Sequence, residues 1–178
     1  DIAAYQRAFF ADSLVAAQDS TTRGYVFSAE GDPARLNMFV DLMNRHDIDV
    51  YAAGREIVAD GRTYQPGEAY VIPVEQVQYT MLRSVFDQPT EFEENIFYDV
   101  SGWTLPLAFD LEFAPLNTIN PEMLGEQVMA GPLARPAPPV SSYGYVLRWS
   151  DYYAPRALYR LLDEEIRVRV ATQNSTIN

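Results

Sequence analysis

The sequence predicts an α/β fold: a doubly wound, mainly parallel sheet with helices on both faces and an inserted β-hairpin. Three observations carry that expectation. Gly24 to Ala53 reads as one strand–helix–strand unit. Gly144 to Thr172 repeats the same grammar. Between them, Asp60-Gly61 separates two short β-prone runs, the composition of a tight hairpin turn.

Residues 1–22 are expected to form an N-terminal helix and linker, ahead of a single α/β domain over 23–178. Ile2, Tyr5 and Phe9 fall on one side of that helix, with Phe10, Leu14 and Ala17 beside them. The pattern suits docking on the sheet or on a neighbouring domain. Tyr25-Val26-Phe27, bounded by glycine and polar residues, reads as a buried strand. Asp32-Pro33 is a helix start, because an Asp oxygen accepts from first-turn amides and proline forfeits no bond at the first helical position. Leu36, Phe39, Val40 and Met43 then line one face, with Arg35, Asp41, Asn44 and Arg45 mostly opposite. Ile48, Val50 and Tyr51 return as a strand, and the short joints imply a right-handed crossover and a parallel pair.

Ile57-Val58-Ala59 and Arg62-Thr63-Tyr64 flank the hairpin turn, and Pro66-Gly67 makes a second turn before the strand Ala69 to Pro73. Val77, Met81 and Val85 recur at helical spacing. Glu91 to Glu94 is acidic, and Phe97 to Leu107 is apolar without a clear period. Six of the twelve prolines lie between Pro115 and Pro139, so about 115–140 reads as an inserted loop. In the second unit Tyr145-Val146-Leu147 is the expected strand, Ala154, Leu158, Leu161 and Leu162 the helix face, and Val168 and Val170 the returning strand.

Composition narrows the chemistry. The 178 residues carry a net charge of −12, which argues against nucleic acid and anionic membranes as partners. All thirteen basic residues are arginine, so lysine nucleophiles, Schiff bases and a phosphate-loop lysine are excluded. Without cysteine there are no disulfides, thiol nucleophiles or thiolate metal sites. No apolar run reaches membrane-spanning length, so no membrane insertion is expected. No signal peptide is evident, and a chain opening on Asp1 rather than Met is expected to be processed or excised.

Reactive groups are few. His46, the single histidine, lies at a helix C-terminus, where the helix dipole favours a cation. A hydrolase built on Asp99, Ser101 and His46 would lack the nucleophile-elbow pattern around Ser101. The adjacent pairs Glu93-Glu94 and Glu164-Glu165 read as solvated. Gly31 reads as a left-handed joint, without the further glycines of a dinucleotide loop. If the sheet is doubly wound, a small-ligand site belongs beyond the strand C-termini, at Ser28, Glu30 and Asp32 together with Ser150, Asp151 and Tyr152, with Trp149, Tyr152 and Tyr153 available for stacking.

Several segments also carry a resemblance: Asp32-Pro33-Ala34-Arg35, Pro66 to Pro73 followed by Gln76, and Tyr98-Asp99-Val100 with Trp103-Thr104-Leu105-Pro106. Together they resemble the region that follows the catalytic domain in bacterial zinc carboxypeptidase-like metallopeptidases. The match runs over roughly residues 1–115 and more loosely over 144–172. The resemblance implies a non-catalytic domain with a flavodoxin-like or class I glutamine amidotransferase-like sheet, lacking that amidotransferase's cysteine. It implies no cofactor in this chain, with zinc confined to a separate catalytic domain. It further implies the peptidase domain of the same polypeptide as partner, contacted through residues 1–18 and the Trp103 segment, and a periplasmic or extracellular setting.

Overall fold

The computed structural model describes residues 1–88, 104–133 and 137–171, arranged in two compact units, Asp1–Leu133 and Ala134–Asn178. The first unit is built on a five-stranded sheet. Its strands are β1 (Gly24–Ser28), β2 (Tyr51–Ala53), β5 (Ala69–Pro73), β6 (Glu112–Leu116) and β7 (Leu124–Gln127), in the order β6-β1-β5-β2-β7. Every pairing is antiparallel: β1 with β5 and β6, and β2 with β5 and β7. The doubly wound parallel sheet is therefore overturned, and with it the flavodoxin-like expectation.

The local grammar was sound while the pairing was not. β1 and β2 both run antiparallel to β5, so they point the same way, as two strands joined by helix α2 (Pro33–Arg45) should. They are not neighbours. β5 lies between them and takes the hydrogen bonds of both, which makes the unit a split β-α-β.

The two faces of the sheet explain why its strands read as continuous apolar runs. Tyr25, Phe27 and Ile72 point to one side, where Leu36, Phe39, Val40 and Met43 of α2 meet Tyr79, Leu82, Val85 and Phe86 of helix α3 (Tyr79–Phe86). Val26, Ala69, Val71, Ala114 and Leu116 point to the other, covered by the hairpin of β3 (Ile57–Ala59) and β4 (Arg62–Tyr64) through Ile57 and Tyr64. Both faces are buried, but a hairpin does on one face what a second layer of helices does in parallel folds. Phe39 joins the layers, with its ring centroid 5.1 Å from Phe27, 6.0 Å from Phe86 and 5.4 Å from Phe109.

The turns obey the residues that compose them. Asp60 and Gly61 both adopt positive φ (48° and 72°), the primed turn whose twist suits a two-residue hairpin. At Gln65-Pro66-Gly67-Glu68 the Glu68 amide donates to the Gln65 carbonyl at 3.2 Å with Gly67 at φ 87°, a type II turn. At Gly24 a side chain would meet the Ile72 carbonyl oxygen at 2.7 Å, so only glycine lets β1 begin so close to β5. The sheet ends on Pro115 in edge strand β6 and on the four-residue β7, both poor templates for a further strand.

Several element expectations need correction. The α3 face is Tyr79, Leu82, Val85 and Phe86, whereas Val77 and Met81 are exposed. The proline-rich stretch is not all loop: it holds part of β6, a 3₁₀ turn at Pro121–Met123, and β7. In the second unit the helix α5 (Ala154–Asp163) forms, but no strand forms at Tyr145-Val146-Leu147 or at Val168 and Val170. A strand exists only when a neighbour takes its backbone hydrogen bonds, and the local pattern carries no information about that neighbour.

Candidate functional site

The residues proposed from sequence divide between the units. Ser28 ends β1, Glu30 lies in the following turn and Asp32 caps α2. Gly31 takes φ 67°, the left-handed joint expected of it. The Asp32 side chain does structural work: Oδ1 accepts from the Arg35 amide at 3.0 Å, and Oδ2 pairs with Arg35 Nε at 3.2 Å. Arg35 extends this into a clamp, donating from Nη1 to the Phe109 carbonyl and to Asp110 Oδ2, each at 2.9 Å. These bonds tie the start of α2 to the turn between helix α4 (Leu105–Ala108) and β6. Arg35, expected on the solvent side, is therefore largely covered, and the Asp-Pro-Ala-Arg motif is a brace. The helix N-terminus, which would otherwise attract an anion, is already occupied by the buried Asp32 carboxylate.

Ser150, Asp151 and Tyr152 belong to the second unit, in the turn that opens α5. Asp151 pairs with Arg148 at 2.8 Å and its carbonyl accepts from Ala154, while Tyr152 meets Tyr153 edge to face at 5.0 Å. Only the crevice of a doubly wound sheet would join these residues to Ser28, Glu30 and Asp32, and an antiparallel sheet has no such crevice.

His46 ends α2, exposed, its amide donating to the Met43 carbonyl at 3.0 Å. Asp99, Ser101 and Trp103, with Glu93 and Glu94, lie outside the described residues. Among the described residues no group of three or more His, Cys, Asp or Glu side chains is placed to hold a metal ion, and no helix is long and apolar enough to cross a membrane.

Two features of the first unit stand out as surfaces for recognition. One is helix α1 (Ile2–Asp19), seated on α3 only through its C-terminal half. Ser13 and Ala17 are buried there, and Ser13 Oγ lies 3.3 Å from both the amide and the hydroxyl of Thr80. The same stripe runs on toward the N-terminus as Phe9, Tyr5 and Ile2, which are 43, 73 and 79 % exposed.

The other feature is a cleft of about 580 Å³ where the end of α1 meets β1 and α3. It is lined by Ala16, Asp19, Ser20, Thr21, Thr22, Tyr25, Tyr79, Arg83 and Asp87. Arg83 and Asp87 pair along α3, with Nε at 3.0 Å and Nη2 at 2.7 Å from the same oxygen, Asp87 Oδ2. Burial pushes the Tyr25 phenol above its ordinary range; Asp87 adds to the rise and Arg83 opposes it, which places all three within electrostatic reach. Sequence reading missed this site. The four-residue spacing of Arg83 and Asp87 hints at an ion pair, but nothing local brings Tyr25 or Thr21 to it.

Comparison with protein-family models, with curated proteins and with solved structures yields no match.

Proposed function

We propose that the chain is a non-catalytic accessory domain of a zinc carboxypeptidase-like metallopeptidase, docking on the peptidase domain of the same polypeptide and shaping substrate access. The setting we propose is periplasmic or extracellular. The observation that carries the reading is the half-covered stripe of α1: Ser13 and Ala17 are packed, while Ile2, Tyr5 and Phe9 extend the same seam into solvent. A helix holding only its last turns against its own domain gains little from propensity alone. Covering Ile2 and Tyr5 contributes about 1–2 kcal/mol each and the half-covered Phe9 less, together enough to anchor a docked neighbour. The edges of the sheet, guarded by Pro115 and by the shortness of β7, favour docking through this helix over strand addition.

The test has two parts. The reading frame that encodes this chain should also encode a domain with an HxxE motif and a distant His, N-terminal to Asp1; a frame without one ends the proposal. That domain, produced separately, should bind this chain, and a Tyr5→Asp, Phe9→Asp variant should bind at least about tenfold more weakly. The variant's melting temperature should stay within a few degrees of the parent, because both residues are exposed. Unchanged binding would overturn the assignment of α1 as the docking element.

A further inference from the structure

We propose that the cleft between the end of α1, β1 and α3 is a binding site for a neutral, polyhydroxylated ligand of the saccharide class. The cleft presents hydrogen-bonding groups that the described residues do not use. Tyr25 and Tyr79 are 7 and 6 % exposed, yet both line the cleft, and neither hydroxyl has a hydrogen-bond partner among the described residues. The hydroxyls of Ser20, Thr21 and Thr22 line the same space and are equally unengaged. The rings are packed while the hydroxyls stay open to solvent, so two phenol oxygens face one cleft where the hydroxyls of a ligand can take the place of water.

The ion pair then selects the kind of ligand. Arg83 spends Nε and one Nη2 hydrogen on Asp87 Oδ2, which among the described residues leaves both hydrogens of Nη1 to donate and Asp87 Oδ1 to accept. A donor beside an acceptor on one half-exposed pair matches two adjacent hydroxyl groups, one accepting from the guanidinium and one donating to the carboxylate. An anion would face a wall carrying Asp19 and Asp87 against a single Arg83. A cation would have to compete with that arginine for Asp87. A neutral polyol leaves the pair intact and satisfies the surrounding hydroxyls, which can both donate and accept. This site is independent of the docking role of α1, and its failure would leave that role standing.

The experiment is a nuclear magnetic resonance titration of the full chain with maltose, and in parallel with glucuronate and glucosamine. Maltose should give saturable amide shifts confined to residues 16–25 and 79–87, with a dissociation constant in the millimolar range. Glucuronate and glucosamine should bind several-fold more weakly. Tyr25→Phe and Tyr79→Phe keep the rings and remove only the hydroxyls, so each should weaken maltose binding about five- to tenfold. If either phenylalanine variant misfolds, Thr21→Val and Thr22→Val make the same test from the linker. Absence of saturable shifts in these residues, tighter binding of a charged probe, or undiminished affinity in the hydroxyl-deleted variants would overturn the proposal.

Discussion

Asp47, Asp110 and Glu165 hold the same position in three different helix endings. Each takes a left-handed φ of 54° or 55° just past the helix. At each, the acidic residue's own amide and the next one close the last turn; the next one runs from Ile48 to the Met43 carbonyl at 3.1 Å, from Leu111 to Pro106 at 2.8 Å and from Ile166 to Leu161 at 2.8 Å. This is the Schellman arrangement, in which glycine is the usual resident. An acidic side chain there bears backbone strain and also faces the negative end of the helix dipole. Asp47→Gly is therefore expected to stabilise the protein by about 0.5–1 kcal/mol in chemical denaturation. Asp110→Gly should gain less or lose stability, because Asp110 also receives Arg35 at 2.9 Å. Equal gains at both sites would show that the ion pair contributes nothing.

Tyr64 makes the opposite case, a group with no compensation. Its hydroxyl is buried and has no hydrogen-bond partner among the described residues, and burial raises its phenol above the ordinary 10.0, with Glu112 and Asp60 adding to the rise and Arg62 opposing it. Removing an orphaned hydroxyl is neutral or favourable, so Tyr64→Phe should match or exceed the parent by about 1 kcal/mol at neutral pH. The folded state keeps the proton that the unfolded state releases above pH 10.0, so stability falls as pH rises through that region toward the raised value. Denaturation midpoints across the alkaline range should decline less steeply in Tyr64→Phe than in the parent.

The start of α2 shows how an element is held. Pro33 presets the first turn, Asp32 caps it, and Arg35 carries the carboxylate's charge across to Phe109 and Asp110. Asp32→Ala removes a cap and one of the two carboxylates paired with the largely covered Arg35 guanidinium, for an expected loss of about 1–3 kcal/mol. Arg35→Met removes the charge along with its need for a partner. The double variant should then lose clearly less than the sum of the single losses, and additive losses in a double-mutant cycle would refute the coupling. Legibility at this scale followed chemistry that is local in the chain. The Asp-Pro helix start, the Asp-Gly and Pro-Gly turns and the buried face of α2 were all readable, because each depends on residues within a few positions of one another. The role of Arg35 was not, because its partners at 109 and 110 are distant in sequence. The α3 face was misjudged because Val77 and Met81 supplied a second, equally regular apolar spacing, and only the packed layer could choose between them. The cleft depends on the same kind of distant meeting, between Tyr25 and the end of α3.

At the scale of the molecule, the error in fold class has one source. An apolar run such as Tyr25-Val26-Phe27 reports that both faces of a strand are buried, not which elements bury them. The second copy of the strand–helix–strand pattern misled for a related reason. Its helix is specified by its own residues, whereas its strands require partners, and none pairs with Tyr145 to Leu147 among the described residues. Both hydrophobic clusters lie inside Asp1–Leu133. A polypeptide ending at Leu133 should therefore keep a single cooperative thermal transition, with a midpoint within a few degrees of the whole chain. Loss of that transition would mean that the remaining residues are needed to complete the core.

The interposition of β5 between β1 and β2 also sets the order in which the polypeptide can find its native state. The crossover through α2 brings its two strands alongside a gap, and nothing seals that gap until a segment from beyond the hairpin threads into it. Closure thus waits on a long-range encounter, with the cost in chain entropy met before the reward. Refolding should be governed by that late insertion and run slower than in helical bundles of equal length, with the α2 turn already ordered while the middle of the sheet is still open.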